Sequence, residues 1–212
     1  MRSRTFEIEA SGPLAVFTRP EMKVERVSYE VMTPSAARGV LEAILWKPAI
    51  RWIVEQIVVL KPVQWTSFRR NEVNSKASLR TQSYFADEDR AQRNTVALKD
   101  VGYLISAHFR MTEKAGPSDN PTKFEEMFQR RLEKGQTFQH PYLGCRELAA
   151  DVRLPRLDVQ AHRITRPLGL LFYDFDYACS PPRPLFFDAR LDAGVLTVPA
   201  PEAVLDANGE QR

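Results

Sequence analysis

The chain has 212 residues, of which 43% are hydrophobic, so it is long enough to bury a sizeable core. Its formal net charge of +3 is too small to indicate a nucleic-acid partner by itself, and its two cysteines, Cys145 and Cys179, form no CxxC pair. These features argue against a disulfide scaffold and a zinc knuckle, and the lack of an apolar signal core or a membrane-length run predicts a cytoplasmic protein with no membrane partner.

The N-terminal part of the chain predicts a strand followed by a helix. Residues 5–10 alternate apolar and polar side chains, which predicts a strand that the pair Gly12-Pro13 should break. Thr33 precedes Pro34, a pattern typical of a helix start, because threonine caps the first turn and proline needs no N–H donor there. Apolar residues at helical spacing then predict a helix that runs to about Trp46.

The middle of the chain predicts three strands and one long polar segment. β-branched and alternating residues predict strands over 49–60, 63–68 and 96–111. Residues 70–94 are charged and poorly periodic, which indicates a long loop or a projecting hairpin.

The last part of the chain predicts one more helix and several short strands. The helix follows the loop at 116–121, buries Phe124 and Leu132, and should end at Gly135. The strands that we predict after it cover 147–153, 168–177, 185–190 and 195–198.

The order of these elements predicts an α+β fold. Strand, helix, two strands, helix and strand make up the βαββαβ pattern of a ferredoxin-like, RRM-like domain, with both helices on one face of the sheet. We expect this domain over 1–154, a small C-terminal antiparallel β appendage over 155–200, and a flexible tail over 201–212.

Six stretches of the sequence together resemble one protein family. They are FTRPEMKVERVSY at 17–29, TPSAARG at 33–39, WKP at 46–48, RRNEV at 69–73, AHF at 107–109 and LGCRE at 143–147. This combination resembles the CRISPR-associated Cas-five RAMP proteins of subtype I-C systems, the d or Dvulg variety, from about residue 5 to residue 200. The resemblance implies the same ferredoxin-like fold with a C-terminal sheet.

The resemblance also implies an activity and partners. Members of the family cleave precursor CRISPR RNA within the repeat, without a metal or another cofactor. They then hold the 5′ handle of the mature CRISPR RNA as part of a surveillance complex with backbone and large subunits. Because the basic segment 70–94 has little apolar pattern to hold it onto its own domain, we expect it to become ordered on RNA or on a neighbouring subunit.

The family's catalytic residues carry over only in part. The resemblance implies a tyrosine at the end of the first helix and a lysine and a histidine on a later strand. His108 matches the histidine, whereas Leu45 and Ser106 stand where we align the tyrosine and the lysine. We expect slow cleavage, with Lys47, Arg110 or Tyr29 partly substituting.

The chemistry of metal-free RNA cleavage points to histidine independently of any family. The 2′-hydroxyl is a built-in nucleophile, so an enzyme needs a group that transfers protons near neutral pH and cations that stabilise the phosphate. His108 shares a predicted strand face with Arg110, which makes it a candidate general acid or base, although a hydrogen-bonded histidine within the sheet is the alternative. His140, in a loop before Pro141, is a second candidate.

Candidate RNA-binding residues are mostly cationic. Arg69, Arg70 and Asn71 end a predicted strand and could bind phosphates, with a solvated hairpin end as the alternative. The other candidates are Lys23, Arg26, Arg38 and Arg146.

Two further functions stay open from the sequence. A subunit that caps the 5′ handle without cleaving RNA is consistent with Leu45 and Ser106 at the aligned positions. A metal-dependent nuclease that binds DNA would use the carboxylates of 87–89, although a solvated loop is the simpler interpretation of that cluster.

Overall fold

The computed structural model describes residues 1–75, 85 and 87–209. These residues form a mixed α and β structure with one mainly antiparallel sheet and three helices. The strands are β1 (Phe6–Ala15), β2 (Arg26–Val27), β3 (Ile50–Val59), β4 (Gln64–Val73), β5 (Arg90–Met111), β6 (Asp151–Arg153), β7 (Arg166–Asp176), β8 (Arg183–Asp192) and β9 (Val195–Thr197). The helices are α1 (Pro34–Ile44), α2 (Pro121–Glu133) and α3 (Pro201–Gly209).

The sheet joins the N-terminal and C-terminal parts of the chain. Its main path is β6-β1-β5-β3-β9-β8-β7, and β2 and β4 pair with β5 beside this path. Because β9 pairs with β3, the strands predicted as an appendage extend the sheet to which β1 and β5 belong. The domain boundary at residue 154 stays a prediction.

The first strand is longer than the sequence predicts. The pair Gly12-Pro13 does not break β1, since Gly12 still pairs with Val101 of β5 and Leu14 pairs with Lys99. Between these two pairs, Asp100 of β5 has a φ of 50°, in the left-handed region. A proline is tolerated in a strand where its position needs no ladder hydrogen bond.

Strands β4 and β5 form a hairpin where the sequence predicts a loop or a hairpin over 70–94. Register pairs run from Gln64 with Lys99 to Val73 with Arg90, so the hairpin alternative is confirmed for both flanks of the segment. Exposed and half-buried side chains alternate along β4, which indicates that the hairpin leaves the body of the molecule. The rest of the predicted loop, at 76–84 and 86, lies outside the described residues.

Both predicted helix starts and stops follow local chemistry. The side chain of Thr33 accepts a hydrogen bond from the backbone of Ala36 at 3.3 Å, as predicted for the N-cap of α1. Helix α1 ends at Ile44, two residues before the predicted end. Asn120 caps α2 in the same way, and Gly135 with a φ of 62° follows its last turn, so the predicted stop is confirmed.

An aromatic cluster packs α2 against one face of the sheet. The ring of Phe128 lies 4.9 Å from that of Phe6 on β1 and 4.7 Å from that of Trp52 on β3. Phe109 of β5 stands on the same face, because its ring contacts those of Trp52 and Phe124. Side chains alternate along a strand, so His108 points to the opposite face of the sheet.

Residues 201–209 differ from the loose tail that the sequence predicts over 201–212, and the rest of that prediction, at 210–212, lies outside the described residues. Residues 201–209 form α3, which buries Val204 and is fixed to β8 by Asn208. The side-chain amide of Asn208 donates to the backbone oxygen of Phe186 at 2.8 Å, and its oxygen accepts from the backbone of the same residue at 3.3 Å. The hydrogen bonds to β8 explain the order of this segment. None of the described helices is long and apolar enough to cross a membrane.

Candidate active site and nucleic-acid interface

His108 lies on the sheet face opposite α2 and is held by a carboxylate. Its Nδ1 lies 2.8 Å from Oε1 of Glu55, and Glu55 also accepts hydrogen bonds from Thr5 at 3.0 Å and from Arg2 at 3.3 Å. A bulge between Val54 and Gln56 of β3 inserts Glu55 as an extra residue in the ladder. Simple alternation along the strand gives no signal for this partner.

The environment of His108 keeps its imidazole neutral. Burial lowers the pKa of His108, the charge of Arg2 lowers it further, and the opposing effect of Glu55 does not compensate. In the neutral ring that faces a carboxylate, Nδ1 carries the proton and donates to Glu55, which leaves Nε2 as an acceptor.

The free nitrogen of His108 is not accessible. Only 3% of the residue is exposed, and Nε2 is buried without a hydrogen-bond partner among the described residues. A general acid or base must come within hydrogen-bond reach of its substrate. His108 meets that condition only if the residues that cover Nε2 move when RNA binds.

The other three predicted catalytic residues differ in their surroundings. Arg110 shares the face of His108, and its guanidinium forms an ion pair with Glu202 of α3. Tyr29 is buried below the guanidinium of Arg19, and burial raises the pKa of its phenol. Lys47 lies in the turn between α1 and β3 and is half-buried.

Two of the predicted RNA-binding arginines are already paired. Glu147 accepts hydrogen bonds from Arg70 at 2.8 Å and from Arg26 at 3.3 Å. Glu72 adds a second carboxylate, 2.8 Å from Arg70 and 3.7 Å from Arg26. These two cations therefore carry little uncompensated charge toward a ligand.

Exposed predicted residues border this ionic cluster. Arg69 and Asn71 flank Arg70 on the exposed side of β4, and Arg146 precedes Glu147 in the chain. Lys23 is exposed in the turn that leads to β2. The structure thus gathers most of the predicted RNA-binding set where β2, the base of the hairpin and the 142–147 loop meet.

Arg38 lies apart from that set. It projects from α1, where it forms an ion pair with Asp174 of β7 and approaches Glu42 at 3.5 Å. The pairing with Asp174 ties α1 to the C-terminal strands. Arg38 is therefore engaged in packing within the described structure.

The backbone conformation of the 142–147 loop requires a glycine at position 144. Gly144 has a φ of 85°, and a Cβ atom at this position would lie 2.0 Å from the backbone oxygen of Val16. The close approach is to the protein's own chain. A cavity of about 250 Å³ opens beside this loop and is bordered by Thr33, Tyr142 and Phe172.

The acidic cluster at 87–89 does not form a cation site within the described part of the chain. There, no group of three or more His, Cys, Asp or Glu side chains is arranged to hold a metal ion. Asp89 instead accepts a hydrogen bond from the backbone of Ser75 at 2.7 Å, across the hairpin.

Sequence reasoning missed an exposed aromatic pair at the end of α1. The rings of Trp46 and Phe138 stack with their centroids 5.9 Å apart and their planes at 26°. His140 follows in the same loop and is exposed. Only the contact between the two segments identifies the pair, since they are 92 positions apart.

Comparison with known proteins gives a consistent result. A family model described as CRISPR-associated protein (Cas_Cas5), of the Cas5d type, matches residues 5–175. A CRISPR pre-crRNA endoribonuclease Cas5d of Mannheimia succiniciproducens is 46% identical, over 89% of this chain and 92% of its own length. A protein of the same name from Thermus thermophilus is 40% identical, over 92% of this chain and 91% of its own.

Solved structures share the architecture. A crystal structure of a CRISPR-associated protein matches with a TM-score of 0.74 and 28% identity, covering 96% of both chains. The protein SMU1763c of Streptococcus mutans matches with a TM-score of 0.72 and 24% identity, covering 94% of both chains. A chain of a CRISPR RNA-guided surveillance complex matches at 0.52 and 15%, covering 93% of this chain and 90% of its own. The last two likenesses concern the fold alone.

Proposed function

The chain belongs to the Cas5d family of CRISPR-associated proteins, and we propose that it is an endoribonuclease that cleaves precursor CRISPR RNA. The observation that carries the proposal is its identity of 46% and 40% to two relatives named as pre-crRNA endoribonucleases. Both alignments span nearly the whole chain. The similarity therefore includes the sheet, the helices and the C-terminal strands together.

The proposed reaction is metal-free cleavage within the repeat. The 2′-oxygen attacks the adjacent phosphorus, the bond from phosphorus to the 5′-oxygen breaks, and one proton moves from the nucleophile to a base while another reaches the leaving oxygen. The products carry a 2′,3′-cyclic phosphate and a 5′-hydroxyl. Histidine suits these proton steps, and nearby cations stabilise the phosphate.

After cleavage the protein would keep the 5′ handle within a surveillance complex. Its partners would be the mature CRISPR RNA and the backbone and large subunits of that complex. Lys23, Arg69, Asn71 and Arg146 are exposed around the base of the hairpin and supply contacts to phosphate.

The fold supports a ferredoxin-like assignment of the N-terminal part. Strands β1, β3, β5 and β6 with α1 and α2 follow the βαββαβ order. In the sheet their order is β6-β1-β5-β3, with the first and third strands of the unit in the centre. We place the end of this domain at about residue 154, where the chain leaves β6.

A second candidate function is a subunit that caps the 5′ handle without cutting RNA. The observation that favours it is the burial of His108, together with an apolar, buried Leu45 at the aligned tyrosine position. Under this alternative the carboxylate of Glu55 holds His108 only for the stability of the sheet.

Incubation of the purified protein with its own organism's repeat RNA in EDTA tests these functions. We expect cleavage at one site with a cyclic phosphate on the upstream product. Binding without cleavage would favour the capping subunit. Cleavage of DNA that appears only after a divalent metal is added would favour the metal-dependent nuclease.

A further inference from the structure

The stacked pair of Trp46 and Phe138 is an exposed aromatic surface on a fixed support. Trp46 is 48% exposed and Phe138 is 58% exposed, so each ring stacks on the other and still offers surface to a ligand. The backbone of Phe138 donates to the oxygen of Ala43 at 2.7 Å, and that of Gln139 donates to the same oxygen at 3.1 Å. The last turn of α1 therefore holds the loop under the rings.

The surroundings of this pair are polar and cationic. Residues 136–140 are all exposed, and they carry two glutamines, a threonine and a histidine besides Phe138. The C-terminal end of α2 carries three cations and one carboxylate. Arg130 and Arg131 lie in its last turn with Glu133, and Lys134 is its C-cap. Arg131 also donates to the backbone oxygen of Ile44 at 2.7 Å, which joins the ends of α1 and α2.

A cavity opens on the same loop. It has a volume of about 260 Å³ and is lined by Arg131, His140 and Asp151, with Ile44 and Leu132 at its apolar wall. All three histidines of the chain are among the described residues, and His140 is the exposed one, since His108 is buried and His162 is half-buried. An accessible imidazole, a guanidinium and a carboxylate therefore border one space.

We propose that Trp46 and Phe138 bind an unpaired base of the repeat RNA by stacking, and that the adjoining cavity receives the ribose and phosphate of the same strand. This inference rests on the proposed function, because its ligand is the RNA that the protein cleaves. His140 and Arg131 then face the backbone of the bound strand.

The chemistry of the surface favours RNA over a protein partner. Unpaired bases stack on aromatic rings, and cations beside the rings bind the phosphates that link the bases. A protein-protein contact instead centres on a larger apolar core that excludes water. Here two rings stand among exposed polar side chains and a local excess of positive charge, which matches an anionic strand with aromatic bases.

Binding of repeat RNA to ring variants tests the proposal. The RNA carries a 2′-deoxyribose at the cut site, mapped with the wild-type protein, so that it binds without being cleaved. We expect Trp46→Ala and Phe138→Ala each to raise the Kd about 5- to 150-fold, the range for loss of one base–aromatic stack. Trp46→Phe should restore most of the affinity, because a smaller ring still stacks.

A matched control separates this effect from a general loss of surface aromatics. Tyr177 is 65% exposed, and its ring lies 6.1 Å from that of Phe175. Tyr177→Ala should bind the RNA as the wild type does. In addition, 2-aminopurine placed at each unpaired position of the RNA should be quenched at one position in the wild type, and this quenching should be lost in Trp46→Ala.

The outcomes distinguish two failures. If the wild type does not bind repeat RNA, the proposed function fails and the stacking site fails with it. If the wild type binds and cleaves but the ring variants bind equally well, only the stacking site is overturned. Variants that keep RNA affinity and lose association with other subunits of the complex would also overturn it, since the rings would then contact protein.

Discussion

The two regions that carry the candidate histidines differ in access. His108 is enclosed by the sheet face, with its Nδ1 at 2.8 Å from Glu55 and its Nε2 buried. His140 is exposed, beside an open cavity and two residues from the stacked ring of Phe138. The same side chain is thus part of the interior in one region and available to a ligand in the other.

The same contrast holds for two neighbouring arginines. Arg70 is bound to Glu72 and Glu147, each at 2.8 Å, whereas Arg69 is exposed on the other side of β4. A cation that is paired in the free protein must exchange partners before it binds phosphate, so its net contribution to affinity is small. Access and pairing therefore differ between side chains of the same type in the free protein.

His108 stays the catalytic residue that the family resemblance implies, whereas access in the free protein favours His140. The largest expected effect, on cleavage by His140→Ala, compares these two assignments. We expect its single-turnover rate to fall about 10²- to 10⁴-fold, the range for loss of a general acid or base, while RNA affinity changes little. His162→Ala is the matched control and should cleave as the wild type does. A wild-type rate in His140→Ala together with a comparable loss in His108→Ala would reverse the comparison, and proton transfer would then belong to His108.

The second prediction concerns the folding stability of the same two variants. His108→Ala should lower the free energy of unfolding by about 1–3 kcal/mol, because it opens a cavity in a buried layer and removes a partner of Glu55. His140→Ala should stay within about 0.5 kcal/mol of the wild type, as exposed substitutions usually do. Urea unfolding measures both. Equal stabilities would show that His108 is not integral to the sheet.

The third prediction uses Arg69 and Arg70 as an exposed and a paired cation. Arg69→Glu should weaken binding of repeat RNA about tenfold at low salt. It should also reduce the slope of log affinity against log salt concentration by about one, the value for loss of one phosphate contact. Arg70→Gln should have the smaller effect, since two carboxylates already compensate its charge. Titrations between low and moderate salt give both quantities. A steeper loss in Arg70→Gln would mean that RNA displaces its carboxylate partners.

Local patterns of the sequence were sufficient to predict most of the helices and strands. The cap at Thr33, the stop at Gly135 and the alternation that places His108 opposite Phe109 all depend on neighbours in the chain. The hydrogen bond of His108 to Glu55 depends on a bulge in β3, and a bulge has no clear sequence signal.

Long-range contacts explain the remaining differences. Helix α3 is fixed by hydrogen bonds from Asn208 to β8. No periodicity in residues 201–209 indicates these contacts. The ring of Phe138 meets that of Trp46 through tertiary contact alone. The sequence places His108 on a strand face, and its catalytic role stays a prediction. The setting of His140 is defined by tertiary contacts that the sequence does not show.

The smallest expected effect is the pH dependence that His108 gives to folding stability. Burial and the charges of Arg2 and Arg110 hold the pKa of His108 below its ordinary value, against the opposing carboxylate of Glu55. In the unfolded chain the histidine titrates near its ordinary value of about 6.5. Over the pH range between these two values, the unfolded state binds more protons than the folded state, so stability rises with pH and falls on acidification.

The variant His108→Gln tests this dependence, because it keeps a donor toward Glu55 and does not titrate. The free energy of unfolding of the wild type, relative to that of this variant, should therefore be highest at about pH 8 and should decrease toward about pH 5. This pH window lies above the ordinary pKa range of carboxylates, so their titration contributes little to the difference. Urea unfolding at half-unit steps measures the difference. A relative stability that increases on acidification would mean that Glu55 dominates and that His108 is charged in the fold.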